Sequence, residues 1–227
     1  MKIDYLGHAA FALEHDGVHV LIDPFLTGNP KASVAAADVQ ADAILLTHGH
    51  ADHYGDVVSI ARRTGASVTA IVELAGEVAG ELEEGHDVRD PNLGGTVHFA
   101  WGSVKLVPAW HTSTTPRGLV NTPAGMIVEI GGTIVYHLGD TALFGDLELI
   151  GRRHHIDVAL MCIGGHYTMD RHDAVAAAAM IGAGRVIPCH YDTFPPIATD
   201  AQAFKADVER ETASHVIVLA PGEAHEP

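Results

Sequence analysis

The 227-residue sequence has little positive charge, little cysteine and no long apolar run. Thirteen lysines and arginines stand against 29 aspartates and glutamates, and the resulting net charge of −16 argues against a nucleic-acid-binding protein. No apolar stretch reaches the roughly 18 residues that a membrane span needs. Its two cysteines, Cys162 and Cys189, form no CxxC pair. We therefore expect buried free thiols rather than a disulfide or a nucleophile.

The composition is that of a folded protein with a sizeable core. Apolar residues make up 47% of the chain and charged residues 19%, which excludes a disordered protein. Since the length suits one large α/β domain and no linker interrupts it, we expect a single domain over residues 1–227. Asp4 and His8 interrupt the first apolar stretch, so no signal peptide is expected and the predicted location is the cytoplasm.

Hydrophobic periodicity predicts many strands followed by strands that alternate with helices. The predicted strands are 2–6, 9–14, 18–22, 42–46, 67–71, 95–99, 103–109, 125–130, 133–138, 157–162, 185–189 and 215–219. The predicted helices are 54–63, 73–83, 145–153, 171–182 and 201–212. Asp170 and Asp200 precede the last two as N-caps. This order predicts sheets with helices packed outside them.

Histidine, in contrast, is abundant: the sequence has 17, and several of them lie in one motif. Residues 44–53 read ILLTHGHADH, an apolar strand that ends at Thr47. Four ligand-type side chains follow within six positions: His48, His50, Asp52 and His53. Gly49 and Ala51 are small enough for the backbone to fold tightly between them. The spacing predicts a metal site, with a merely histidine-rich loop as the weaker alternative.

Three further ligand-type residues follow later apolar runs. His111 comes after KLVPAW, Asp140 after TIVYHLG and His190 after VIPC. Functional residues of α/β proteins gather where strands end in loops. We therefore expect these three side chains to meet the HxHxDH motif.

Together these residues resemble the metallo-β-lactamase superfamily. The resemblance covers essentially the whole chain. Within the superfamily, the sequence most resembles the small, largely uncharacterised metal-dependent hydrolases, which are related to L-ascorbate-phosphate lactonase and N-acylphosphatidylethanolamine phospholipase D. The motifs that carry it are HxHxDH at 48–53, GHAAF at 7–11, IDPFLTGNP at 22–30, PAG at 123–125, GDTALFGD at 139–146, GGHYTM at 164–169 and HYDTFP at 190–195.

The resemblance implies a four-layer αββα sandwich of two mixed sheets with a dinuclear site at their edge. His48, His50 and His111 would hold one divalent metal ion. Asp52, His53 and His190 would hold the other, and Asp140 would bridge both. Five imidazoles and two carboxylates suit zinc, and also manganese or iron.

Metal charge then predicts hydrolysis. Two divalent ions, Asp52, Asp140 and a bridging hydroxide leave about one positive charge at the site. The hydroxide would attack an ester-type bond, such as that of a phosphodiester or lactone, in a small anionic molecule. Arg117, in the loop 112–124, is a candidate cation for a phosphate, or else a solvated loop residue.

Three more residues receive roles in this interpretation. Asp23, at the end of HVLID, resembles the superfamily's aspartate that hydrogen-bonds a ligand histidine. His8 and His166 are candidate catalytic residues alongside Asp52, as substrate contacts or proton carriers. A buried structural role for His8 is the alternative.

Two other functions remain open at this point. A mononuclear iron dioxygenase of the same fold keeps HxHxDH, and a metal-binding protein without activity could keep all seven ligands. Flavodiiron proteins of this fold have an acidic ligand where His50 stands, which argues against them. Homo-oligomer formation is also left open.

Overall fold

The computed structural model describes all 227 residues and contains fourteen strands and six α-helices. The strands are β1 (Lys2–Gly7), β2 (Ala10–His15), β3 (Val18–Ile22), β4 (Ala43–Leu45), β5 (Ser67–Thr69), β6 (Val88–Arg89), β7 (Thr96–Phe99), β8 (Gly102–Pro108), β9 (Ala124–Ile130), β10 (Thr133–His137), β11 (Val158–Cys162), β12 (Arg185–Cys189), β13 (His215–Val216) and β14 (Ala224–His225). The helices are α1 (Ala51–Tyr54), α2 (Val57–Thr64), α3 (Val72–Glu81), α4 (Asp146–His154), α5 (Arg171–Ile181) and α6 (Ala201–Glu211).

The strands form two seven-stranded mixed sheets. The N-terminal sheet has the order β14-β1-β2-β3-β4-β5-β6, and the C-terminal sheet has the order β13-β12-β11-β10-β9-β8-β7. Pairing is antiparallel from β14 to β3 and parallel from β3 to β6. The C-terminal sheet repeats this division, antiparallel from β7 to β10 and parallel from β10 to β13.

Side chains on opposite faces of the C-terminal sheet belong to different apolar clusters, which shows how the layers stack. Met126 and Val128 join a cluster of 39 residues that includes both sheets and the buried faces of α2 and α3. Ile127, between them, joins a cluster of 23 residues with α4, α5 and α6. This alternation is the two-residue period of a strand buried on both faces. The predicted αββα sandwich of two mixed sheets is confirmed.

Local sequence signals account for the helix ends. The Asp170 carboxylate accepts hydrogen bonds from the backbone nitrogens of His172 and Asp173, at 2.8 and 2.9 Å. The Asp200 carboxylate does the same at the start of α6. Gly182 closes α5 in the left-handed conformation, with φ of 64°. Both predicted N-caps are confirmed.

The prediction of one helix over 54–63 was wrong at its start. The chain forms a single turn, α1, and then breaks at Gly55 before α2 begins. A Cβ at Gly55 would lie 2.7 Å from the Cα of Phe25, so the break brings two backbones closer than any other residue allows. The two-residue strands β6 and β14 were also missed.

Both cysteines are buried and free, as expected. Burial raises the pKa of the Cys162 thiol to about 12, which makes a thiolate nucleophile unavailable at neutral pH. None of the six helices combines the length and the apolar character needed to cross a membrane.

Candidate metal centre

All seven predicted ligands converge at one edge of the sandwich. His48 and His50 follow β4, and Asp52 and His53 lie in α1, the turn that continues from them. The other three follow the ends of β8, β10 and β12: His111, Asp140 and His190. Carboxyl ends of strands from both sheets therefore supply the whole set, as expected for functional residues of an α/β protein.

The imidazoles and carboxylates form two adjacent groups. In one, ligand atoms of His48, His50 and His111 lie within 4.8 Å of one another. In the other, those of Asp52, His53 and His190 do so together with His8. These two groups follow the division that the resemblance implied, except that His8 joins the second, and a third set that meets the same criterion, Asp23, His48 and His53, spans them.

Asp140 lies between the two groups. One carboxylate oxygen, Oδ2, is 3.6 Å from His111 Nε2 and 3.1 Å from His190 Nε2. The other oxygen, Oδ1, is 3.4 Å from His53 Nε2. One side chain thus approaches histidines of both groups, which is the arrangement a bridging ligand requires.

Asp23 orients two of the histidines, as predicted for one. Its Oδ2 accepts a hydrogen bond from His53 Nδ1 at 2.7 Å and from the Thr47 hydroxyl at 2.6 Å. Because the Thr47 hydroxyl donates to Asp23, it accepts from His48 Nδ1 at 3.0 Å. Both rings then hold a proton on Nδ1, so Nε2 is the ring atom directed into the site and the one that would bind a metal ion. The role of Thr47 was not foreseen.

His8 links Asp52 to the loop that follows β12. Its ring is fully buried, with Nε2 3.0 Å from Asp52 Oδ2 and Nδ1 2.9 Å from the Thr193 hydroxyl. Burial lowers the pKa of His8 to about 4, although Asp52 opposes the shift. The ring is therefore neutral at pH 7, donating to the Asp52 carboxylate from Nε2 and accepting from Thr193 at Nδ1.

Several buried ligand atoms have no hydrogen-bond partner within the protein, as expected for atoms that bind metal ions. His53 Nε2, Asp140 Oδ1 and both ring nitrogens of His190 are buried without a hydrogen-bond partner. Unpartnered buried polar atoms are rare and costly in folded proteins. Their concentration at the meeting point of seven ligand-type side chains is what a site built for cations provides.

The electrostatics of the cluster are those of a cation site. Burial would lower the pKa of His53, but the Asp140 and Asp23 carboxylates raise it well above its ordinary value. Burial would raise the pKa of Asp140, but His190 and His53 hold it well below its usual range. Asp140 is thus an anion in the cluster, ready to bind a cation.

A cavity of 490 Å³ opens onto the cluster. Half of its ten lining residues are predicted ligands: His50, Asp52, His111, Asp140 and His190. The remaining lining residues are Phe25, Ala51, Thr112, Tyr167 and Phe194. A small molecule can therefore reach the ligand atoms, and it meets aromatic side chains on the way. Sequence reasoning missed the two phenylalanines, although both lie in quoted motifs.

Two candidates do not join the site. His166 is exposed and packs its ring against Tyr167, which lines the cavity in its place. Arg117 forms an ion pair with Glu81 at 3.1 Å and does not line the cavity. The interpretation of Arg117 as a solvated loop residue fits this placement, and a proton-carrying role for His166 loses its support.

Comparison with known proteins gives the family. Residues 2–190 match the "Beta-lactamase superfamily domain". The chain is 43% identical to a UPF0173 metal-dependent hydrolase of Pelotomaculum thermopropionicum and 45% identical to one of Methanopyrus kandleri, each over 100% of both chains. It superposes on Igni18, a metallo hydrolase of Ignicoccus hospitalis, with a TM-score of 0.89 and 37% identity, over 99% of this chain and 97% of that one. The chain therefore belongs to the metallo-β-lactamase superfamily and, within it, to the UPF0173 metal-dependent hydrolases.

Proposed function

We propose that this protein hydrolyses an ester-type bond in a small molecule with the help of two divalent metal ions. The observation that carries the proposal is the pair of ligand groups that meet at Asp140 and open into one cavity. His48, His50 and His111 would hold one ion, and Asp52, His53 and His190 the other. A second complete group supports two ions over the single iron of a dioxygenase.

Bound there, the ions would lower the pKa of water toward about 7 and polarise the bond under attack. Zinc suits the imidazole-rich donor set, as do manganese and iron. The chain's own residues hold the arrangement: Asp23 fixes the rings of His48 and His53, and His8 fixes Asp52. Asp52 lines the cavity, so its free oxygen can orient an attacking water.

The substrate is proposed to be anionic or strongly polarised, with its charge met by the metal ions alone. No lysine or arginine lines the cavity, and the candidate cation Arg117 is paired with Glu81. The protein's net charge of −16 repels anions at long range. Within the cavity the two ions dominate, because charges farther away than about 10 Å are screened by salt.

The test combines a metal count with a substrate screen. Protein reconstituted in turn with zinc, manganese and ferrous iron should bind two ions per chain and hydrolyse at least one class among phosphodiesters, lactones, thioesters and other esters. His190→Ala should lose one ion and the activity. His172→Ala, an exposed histidine on α5 away from the cavity, is the matched control and should lose neither.

Two results would contradict the proposal. A maximum of one ion per chain that His190→Ala leaves unchanged would exclude the dinuclear site. Two bound ions without turnover across the whole screen would instead favour a metal-binding protein that has lost, or never had, hydrolytic activity.

A further inference from the structure

Three aromatic side chains line the cavity together with the ligand cluster. Phe25 follows β3, Tyr167 follows β11 and Phe194 follows β12, so three separate loops place a ring at one cavity. The chain has only thirteen aromatic residues, at 6% of its length. Three of them at one opening form a local concentration, which we call the aromatic wall.

The aromatic wall is anchored to the metal centre. The ring of Phe25 lies 5.9 Å from the buried His8 ring, at an interplanar angle of 82°. The ring of Phe194 lies 5.6 Å from the same His8 ring, at 64°. Both are edge-to-face arrangements of the favourable kind. The two phenylalanines therefore stand in a fixed position beside Asp52, on the side of the second ligand group.

The third ring is exposed to solvent at the opening. Tyr167 has 56% of its surface accessible, an unusual exposure for a large aromatic side chain. Its hydroxyl forms no hydrogen bond within the chain, and its ring packs against the exposed ring of His166, 4.4 Å away. A large apolar surface exposed at a cavity beside reactive groups is typical of a ligand-binding wall.

We infer that the aromatic wall binds an aryl group of the substrate, next to the bond that is cleaved. This inference rests on the proposed function and adds the chemical class of the substrate. The polar or anionic end would lie at the metal ions, since all the charged side chains of the cavity belong to the ligand cluster. The remaining walls offer no cation and few hydrogen-bonding groups, which suits an apolar ring rather than a sugar or a nucleotide phosphate chain.

Binding of two phosphonates tests this without any need for turnover. Metal-reconstituted protein is titrated calorimetrically with phenylphosphonate and with methylphosphonate, which share the anionic head and differ in the apolar group. We expect phenylphosphonate to bind at least about tenfold more tightly, the effect of one well-packed apolar group in a preformed site. Phe194→Ala and Phe25→Ala should remove most of that difference and leave methylphosphonate binding unchanged.

Matched variants separate recognition from folding. Phe194→Leu keeps an apolar side chain and should retain a reduced preference for phenylphosphonate. Leu149→Ala removes an exposed apolar side chain of α4 that does not line the cavity and should change nothing. Thermal unfolding of each variant identifies any that fails to fold, and the preference is then judged on the others.

The outcomes distinguish a failure of the aryl site from a failure of the proposed hydrolase function. Equal affinity for the two phosphonates, or a preference that survives both alanine substitutions, would overturn the aromatic wall as an aryl site. If neither phosphonate binds the metal-loaded protein, the anion-binding metal centre itself is wrong, and both the proposed function and this inference fall.

Discussion

Replacing Asp23 by asparagine should weaken metal binding without removing any ligand. The Asp23 carboxylate is fully buried and accepts three hydrogen bonds: from the Thr47 backbone nitrogen at 2.8 Å, the Thr47 hydroxyl at 2.6 Å and His53 Nδ1 at 2.7 Å. An asparagine amide has one acceptor oxygen and one donor nitrogen. Whichever way it is turned, its NH₂ faces at least one of these donors. The simplest relief moves the proton of His53 to Nε2, the atom that should bind metal.

The size of the effect follows from those contacts. Loss of a partner that orients a ligand histidine costs about 10- to 100-fold in metal affinity, which is about 1.4 to 2.8 kcal/mol. The metal-free protein should also lose about 3 kcal/mol of its free energy of unfolding, because a fully buried pair between Asp23 and His53 is broken. The two losses are measured separately, by zinc competition with a chelating indicator and by urea unfolding of the metal-free protein.

Asp56→Asn is the matched control. Asp56 is also buried, and its Oδ2 accepts hydrogen bonds from the backbone nitrogens of Leu26 and Thr27, at 2.9 and 2.7 Å. An amide oxygen can replace that acceptor, and no ligand is involved, so metal affinity should stay at the wild-type value. If Asp23→Asn bound both metal ions as tightly as the wild type does, the reasoning that Asp23 sets the histidine tautomers would be refuted.

Four further outcomes are expected. Thr193→Val removes the hydroxyl that donates to His8 Nδ1 and should lower kcat about tenfold with little change in KM. Thr193→Ser keeps the hydroxyl and should keep kcat. An equal loss of kcat in both variants would contradict this role of the hydroxyl. Each metal ion at about 100 times its Kd should add about 2.7 kcal/mol. Two ions should therefore raise Tm by roughly 10–20 °C over chelated protein, checked by calorimetry. Asp170→Ala should cost about 1 kcal/mol in urea unfolding through loss of the α5 N-cap, with activity unchanged. Raising salt should increase kcat/KM for an anionic ester relative to its neutral counterpart, because it screens the net charge of −16.

The ligand set was predictable because each ligand follows a strand, and strands leave a strong pattern. The run ILLT fixes where β4 ends, so His48 and His50 had to emerge at the sheet edge. The same pattern, a ligand-type residue just beyond an apolar run, supplied the partners after β8, β10 and β12, and the motif resemblance then divided the ligands between two metal ions. The orientation of the histidine rings could not be predicted in the same way. In the sequence Thr47 is an ordinary residue at the end of a strand. Its hydroxyl lies between Asp23 and His48 only because β3 and β4 are neighbours in the sheet.

The role of Arg117 could not be read from its loop. Residues 112–124 are rich in threonine and proline, a composition that indicates a loop but not which way each side chain faces. Arg117 turns to Glu81, at the end of α3 and 36 positions earlier in the chain. Glu81 also accepts a hydrogen bond from the Tyr54 hydroxyl at 2.6 Å. A pair so distant in sequence leaves no local signal. The sequence therefore could not show that Arg117, a candidate cation for the substrate, forms a surface ion pair instead.

The structure also separates what binds the metal from what would choose the substrate. The ligands sit at the ends of strands whose backbone hydrogen bonds fix them, and Asp23, Thr47 and His8 hold their side chains from behind. Tyr167 lies in the loop after β11, which contributes no ligand atom, and Phe194 lies four residues beyond His190 in the loop after β12. Loops tolerate substitution better than buried strands do. Change at those positions can therefore alter which molecule enters while the seven ligands stay in place, which is how one metal centre can serve hydrolases of different specificity on the same fold.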